Sequence, residues 1–312
     1  MKAIIYNEYG GIEVLKLVEI PIPNLKINQV LIKIKSVSIN PLDWKIWKGE
    51  MKMISGSKFP KQIGVDFAGV IENIGASVTK FKISDEVFGA VNVMKEGALA
   101  DYIAIDIKSI WPKPKQISFA QASSIPAVGA AAYKAIEELA NVSAGTKILI
   151  NGCTGGVGMI AIQLAKQKGA KVTGVCGTSG IDFAKKWGCD VFIDYSKTDI
   201  LNLSEQFDIV LDLSGKLKYK QAKKIMKPDS VFINPIPQLS DILKSPFVNI
   251  GRSKKNKILL SSPSSINMNY IIKAIEKGLH IEVSKTFKFV NYKDAYQYAE
   301  KGGFVGKVTF EI

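Results

Sequence analysis

Short runs of alternating apolar and polar residues, bounded by Gly, Pro, Asn and Asp, fill the first third of the chain: KAIIYN, VLIKIKSVSI, AGVIENIG and DEVFGAV. Their period of two and their β-branched content predict strands. From about Ile117 the spacing lengthens. FAQASSIPAVGAAAYKAIEELA carries small and apolar residues at helical spacing, which predicts two helices, the first capped by Ser118 and the second separated from it at Pro126. After Gly145 strands and helices alternate: KILIN, VGMIAIQLAKQKG, KVTGVC, IDFAKKWG, VFIDY, FDIVLDLS, a lysine-rich helix and VFINPI. That order predicts an α/β domain, a doubly wound parallel sheet with helices on both faces. Beyond about Leu260 lie the helix NYIIKAIEKG, the strand KTFKFV, the helix DAYQYAEKG and the strand KVTFEI. This tail is too short to be a domain alone, so it is expected to rejoin the N-terminal β segment.

Composition changes the picture only at the margins. The 312 residues, 47% apolar and 22% charged, exclude a disordered, collagenous or disulfide-scaffold chain and suit two domains. No apolar run reaches the roughly 18 residues of a membrane span, and a cytoplasmic location is expected. The net charge of +14 raises nucleic acid as a partner. Arg252 is the only arginine, however, and the lysines are scattered, so a solvated lysine-rich surface is the better reading and nucleic acid is not expected. Cys153, Cys176 and Cys189 lack framework spacing and fit a reducing compartment. With these and one histidine, His280, no zinc site is expected.

The chemistry concentrates in KILINGCTGGVGMIAIQLAK. A short strand runs into Gly152, Thr154, Gly155, Gly156 and Gly158, and a helix begins near Gly156 and Val157. Glycines allow the tight turn and the approach of a pyrophosphate, and the free N–H groups of the helix start favour its negative charge. Strand, glycines, helix and second strand in this order predict a dinucleotide site. An NAD site usually places an acid roughly 20 residues beyond the turn. None occurs from Gly169 through Ile181, whereas Gly177, Thr178, Ser179 and Gly180 offer hydroxyls and open backbone, and Tyr195 offers a phenol. The expected cofactor is NADPH, with these residues around its 2′-phosphate and adenine.

NGCTGGVG, the upstream IPAVGAAAY, SINPLDWKIWKG, IGVDFAGVIENIG with FKISDEVFGA, and the closing GKVTFEI together resemble the zinc-independent medium-chain dehydrogenase/reductase superfamily. The likeness is greatest to quinone oxidoreductases and alkenal/enone reductases, including the chloroplast-envelope quinone-oxidoreductase-like proteins. It implies a GroES-like β-barrel domain over 1–122 and 262–312 around a Rossmann domain over 123–261. Zinc relatives carry Cys where Asn40 stands and His-Glu where Val65 and Asp66 stand, so neither ligand set is present. The resemblance implies hydride transfer from NADPH to a quinone or to the C=C bond of an enone. It sets Asn40 and Lys45 beside the nicotinamide and substrate, and it implies a homodimer joined at the apolar strand VFINPIPQL. The alternatives are a 2-enoyl-thioester reductase and a non-catalytic NADPH-sensing or RNA-binding protein. Two departures stand out: Ala131 where the family carries threonine, and Gly180 where relatives often carry Lys or Arg.

Overall fold

The computed structural model describes residues 1–92, 96–235, 249 and 251–312. Sixteen strands among them form three sheets. β1 (Lys2–Tyr6), β2 (Lys16–Glu19) and β4 (Lys61–Gln62) make a small antiparallel sheet. β3 (Gln29–Ser38), β5 (Asp66–Ile74), β6 (Glu86–Ala90), β7 (Tyr102–Asp106), β8 (Ile110–Pro112), β15 (Val283–Lys288) and β16 (Lys307–Glu311) make the barrel sheet, in the order β15-β16-β3-β5-β6-β8 with β7 also on β3. The alternation read in VLIKIKSVSI is the pleat of β3, whose Val30, Ile32 and Ile34 enter the core while Lys33 faces out.

β9 (Lys147–Asn151), β10 (Lys171–Cys176), β11 (Val191–Asp194), β12 (Phe207–Asp212), β13 (Met226–Asn234) and β14 (Lys255–Ile258) form a parallel sheet in the order β11-β10-β9-β12-β13-β14. Strand order reverses between β9 and β12, which opens the crevice where such sheets bind ligands. Helices of both domains start where the sequence predicts. Ser118 and Gln121 form a reciprocal capping box, and Pro126 is the first residue of the helix Pro126–Tyr133.

The tail does rejoin the barrel: β16 pairs antiparallel with β3 and parallel with β15. The return comes later than residue 262, however. The helix Ser265–Glu276 buries Met268, Ile271, Ala274 and Ile275 in the core of the α/β domain, against the helix Pro126–Tyr133. The barrel has its own core, in which Trp47 and Tyr296 meet edge to face at 4.7 Å. A second difference concerns the sheet edge. β14 pairs with β13 along Val231–Asn234, so VFINPI is an interior strand and the edge is KNKI. The residues that follow Pro235 in VFINPIPQL lie outside the described residues.

Candidate active site

The glycine turn sits at the crevice. Gly152 has φ of +80°, a conformation that side chains resist, and its N–H donates to Val175 O at 3.0 Å. Gly155 ends the turn in extended backbone, and the twelve-residue helix Gly156–Gln167 follows. The first-turn N–H groups, from Gly156 and Val157 onward, lack intrahelical partners by construction. Gly158 is required by packing, since a Cβ there would lie 2.4 Å from Cys153 O. These residues fit a pyrophosphate: a turn without side chains, and helix N–H groups pointing at its mouth. Under the turn the three cysteines converge. Cys153 and Cys189 both place sulfur within 3 Å of where a Cβ on Gly174 would stand, so only glycine fits beneath them.

On one side of the turn a cavity of about 450 Å³ opens between β9, β10 and β12, lined among others by Gly152, Val175, Tyr195, Lys197 and Ser214. Its floor is a satisfied polar network: Asn151 Nδ2 donates to Asp212 Oδ1 at 2.9 Å, and Leu217 N donates to Asp212 Oδ2 at 3.0 Å. Of the residues expected at the adenosine end, Tyr195 lines this cavity, whereas Gly177, Thr178, Ser179 and Gly180 do not. Tyr195 is 65% exposed, with its hydroxyl 3.1 Å from the Cβ position of Gly177, and Ser179 is exposed beside them. Thr178 is differently engaged, because its hydroxyl donates to Asp194 Oδ2. Asp194, at the end of β11, also accepts from Ser196 N and Oγ, and these bonds hold its carboxyl down to about 2. An acid is therefore present at this end, on the third strand rather than the second, with the Lys197 ammonium 3.9 Å away. Gly180 has a packing reason as well: a Cβ would meet Thr154 Cγ2 at 2.8 Å.

On the other side the turn meets the barrel. Gly306 N donates to Thr154 O at 2.7 Å, and the side chain of Lys307 crosses the face of Gly156, where a Cβ would strike Lys307 Cδ at 2.7 Å. Lys307, 4% exposed, ends on Ile39 O at 2.6 Å and Asn40 Oδ1 at 2.7 Å. The other end of that amide donates to Asp66 Oδ2 at 3.1 Å, which also accepts from Ala127 N at 3.1 Å. Asn40 N donates to Asp43 Oδ2 at 2.9 Å, capping the helix Pro41–Trp47. Asn40 is thus committed within the protein at both ends of its side chain. Burial pushes Asp66 up to about 6 and Asp43 up to about 7, against the pull of Lys307; burial lowers Lys307 to about 8, against the pull of both carboxylates.

Lys45, in the last turn of the same helix, is half-buried and makes no hydrogen bond or ion pair among the described residues. Ala131 is packed against the α/β core and brings no hydroxyl. His280 pairs with Glu282 Oε2 at 3.0 Å, away from the turn. Among the described residues no group of three or more His, Cys, Asp or Glu is placed to hold a metal ion, and no helix is long and apolar enough to cross a membrane. A larger cavity of about 880 Å³ lies at β1 and β4, lined by Ile5, Pro21, Lys58 and Lys61, and contains neither the glycine turn nor Asn40.

Sequence reasoning missed Lys307, Asp66 as a hydrogen-bonding residue, Asp194 and Lys197. Lys307 and Asp66 sit within motifs that were noticed, but only the pairing of β16 with β3 shows that they meet at Asn40.

Comparison with known proteins agrees with this geometry. Residues 26–115 match the family model for the alcohol dehydrogenase GroES-like domain, and residues 156–234 match the model described as zinc-binding dehydrogenase. The chain is 30% identical to the chloroplastic quinone-oxidoreductase homolog of Spinacia oleracea, over 100% of this chain and 98% of that protein. It is 32% identical to the chloroplastic NADPH-dependent alkenal/one oxidoreductase of Arabidopsis thaliana, over 99% of this chain and 79% of that protein. The structure of the quinone oxidoreductase from Coxiella burnetii superimposes with a TM-score of 0.90 at 31% identity, covering 100% of this chain and 99% of that one. Barrel, glycine turn and whole-length likeness together place the chain in the medium-chain dehydrogenase/reductase family, among its quinone oxidoreductases and alkenal/one oxidoreductases.

Proposed function

We propose that this protein is an oxidoreductase that uses NADPH to reduce a quinone or the C=C bond of an α,β-unsaturated carbonyl compound. The observation that carries this reading is the junction of the glycine turn with the barrel, where Gly306 and Lys307 bind Thr154 and Asn40 across the groove. A reduced nicotinamide bound there supplies a hydride. The protein's part would be to hold and to orient: the turn and the helix Gly156–Gln167 would grip the pyrophosphate, and the Asn40 loop would border the nicotinamide end. Lys45 offers positive charge to oxygen that gains charge as the acceptor is reduced.

Preference for NADPH is supported by Ser179, Tyr195 and Lys197, which offer two hydroxyls and an ammonium on the open rim, and opposed by Asp194, whose charge Lys197 and Thr178 offset. Operation without a metal is supported by the Asn40, Asp66 and Lys307 cluster, because its buried ammonium occupies the neighbourhood where zinc relatives carry ligands. A homodimer through the sheet edge would now use β14 in place of β13.

The test is NADPH oxidation against a panel of quinones, short enones and 2-enoyl thioesters, with NADH as control. Turnover of quinones or enones with NADPH favoured is the expected result. Selective turnover of thioesters, or none with any acceptor, would overturn the assignment.

A further inference from the structure

We infer that Lys307 is a positioning residue: its buried ammonium clamps the Asn40 loop of the barrel onto the glycine turn, and the clamp is tight only while that ammonium is charged. The geometry is a three-point fastening. Lys307 N donates to Glu282 O at 3.1 Å, its methylenes lie on Gly156, and its Nζ reaches Ile39 O and Asn40 Oδ1. The Asn40 amide is inserted between a cation and an anion, its oxygen on Lys307 and its nitrogen on Asp66, which fixes the orientation of the amide and of the loop that carries it. One side chain therefore sets the distance between the glycine turn and the start of the helix that carries Lys45.

The titratable groups facing Lys307 are Asp66 on β5 and Asp43 on the helix Pro41–Trp47, with Tyr296 of the helix Tyr292–Lys301 behind Asp43. The glycine turn contributes only Cys153, which faces Cys176 and Cys189. The Glu282 carboxylate is turned to His280 and Lys186. Because burial lowers Lys307 to about 8, the clamp loses its charge just above neutrality. Stability moves the other way. A lysine that loses its proton more readily when folded gives the folded state fewer protons than the unfolded chain between about 8 and 10.5, so its contribution to stability rises with pH across that window. Function and stability should diverge.

The inference rests on the proposed function for its rate measurement and not for its affinity measurement. NADPH affinity, by fluorescence titration without acceptor, and steady-state quinone reduction would be followed from pH 6 to 10 for the wild type, Lys307→Arg and Lys307→Met, with melting temperatures at each pH. Wild-type affinity and kcat should both fall above about pH 8 while the melting temperature does not. Lys307→Arg, charged throughout, should lose that alkaline limb. Lys307→Met should lower kcat at pH 7 at least tenfold, with a smaller change in KM for the quinone, and show no limb. Wild-type affinity that is flat from pH 7 to 10, an alkaline limb retained in Lys307→Arg, or a folded Lys307→Met with wild-type kcat and affinity would each overturn the inference. If Lys307→Met does not fold, the wild type and Lys307→Arg decide. If no acceptor is turned over, the reductase assignment fails and the affinity profile still decides this one.

Discussion

At the barrel end of the groove, Asn40, Asp66, Asp43 and Lys307 are buried and tied to one another and to backbone, and the two carboxyls and the ammonium are displaced from their ordinary titration ranges. At the adenosine end, Tyr195, Ser179 and Lys197 stand in solvent around a carboxylate that several hydrogen bonds hold ionised. The first end spends stability to fix geometry, since buried charges cost desolvation that their partners only partly offset. The second is an adaptable rim whose charges are screened. On the proposed function, the buried end would set the placement of the nicotinamide, whereas the choice between dinucleotides would fall to a few surface side chains.

The sharpest way to break this contrast is Asp66→Ala. It removes the anion that balances Lys307, takes the acceptor from Ala127 N and leaves Asn40 Nδ2 only its long bond to Ser38 O at 3.4 Å, and should cost about 3–5 kcal/mol in urea unfolding. A loss below about 1 kcal/mol would show that the cluster is not under tension. Gly158→Ala comes next, because the added methyl meets Cys153 backbone, which cannot swing aside; about 1–3 kcal/mol of overpacking is expected. At the rim, Ser179→Asp should weaken NADPH binding by about 1–3 kcal/mol while leaving NADH and the melting temperature nearly unchanged. Equal loss for both dinucleotides would mean that this rim does not see the 2′-phosphate.

The last expectation is a minimum in stability near pH 7–8. Asp66 and Asp43 titrate at about 6 and about 7 in the fold against 3.8 ordinarily, so the folded state holds extra protons and their contribution falls as pH rises through that window. The Lys307 contribution then rises from about 8 to 10.5. A thermal scan in 0.5-unit steps checks this, and the double variant Asp66→Asn with Lys307→Met should flatten it.

Much of this was legible in the sequence, for reasons that can be named. The strand, turn and helix of KILINGCTGGVGMIAIQLAK are local, and local pattern marked the glycine turn to within a residue. SINPLDWK was singled out by its likeness to the family, and only the structure shows Asn40 and Asp43 capping the helix Pro41–Trp47 there. Lys307 was not legible because nothing in GKVTFEI distinguishes a buried lysine from the many solvated ones; its burial follows from the pairing of β16 with β3 and from its crossing of Gly156. Asp194 was missed because the acid was sought on β10, where dinucleotide sites usually carry it, and here it arrives from β11 alongside. KNKI was missed because a strand of four half-buried residues has no alternation to read.

The span between Asn40 and Lys307, 267 residues along the chain, has a consequence for how the protein is made. At a synthesis rate of about 5–20 residues per second, the Asn40 loop and Asp66 wait on the order of tens of seconds before their ammonium emerges. The six parallel strands are complete well before then, so the α/β half can condense on the ribosome while the barrel still lacks β15 and β16. A nascent chain stalled before Lys307 would carry a finished nucleotide fold and an open barrel with two buried carboxyls, Asp43 and Asp66, that lack their cation. Only once β16 pairs with β3 can Lys307 reach Asn40.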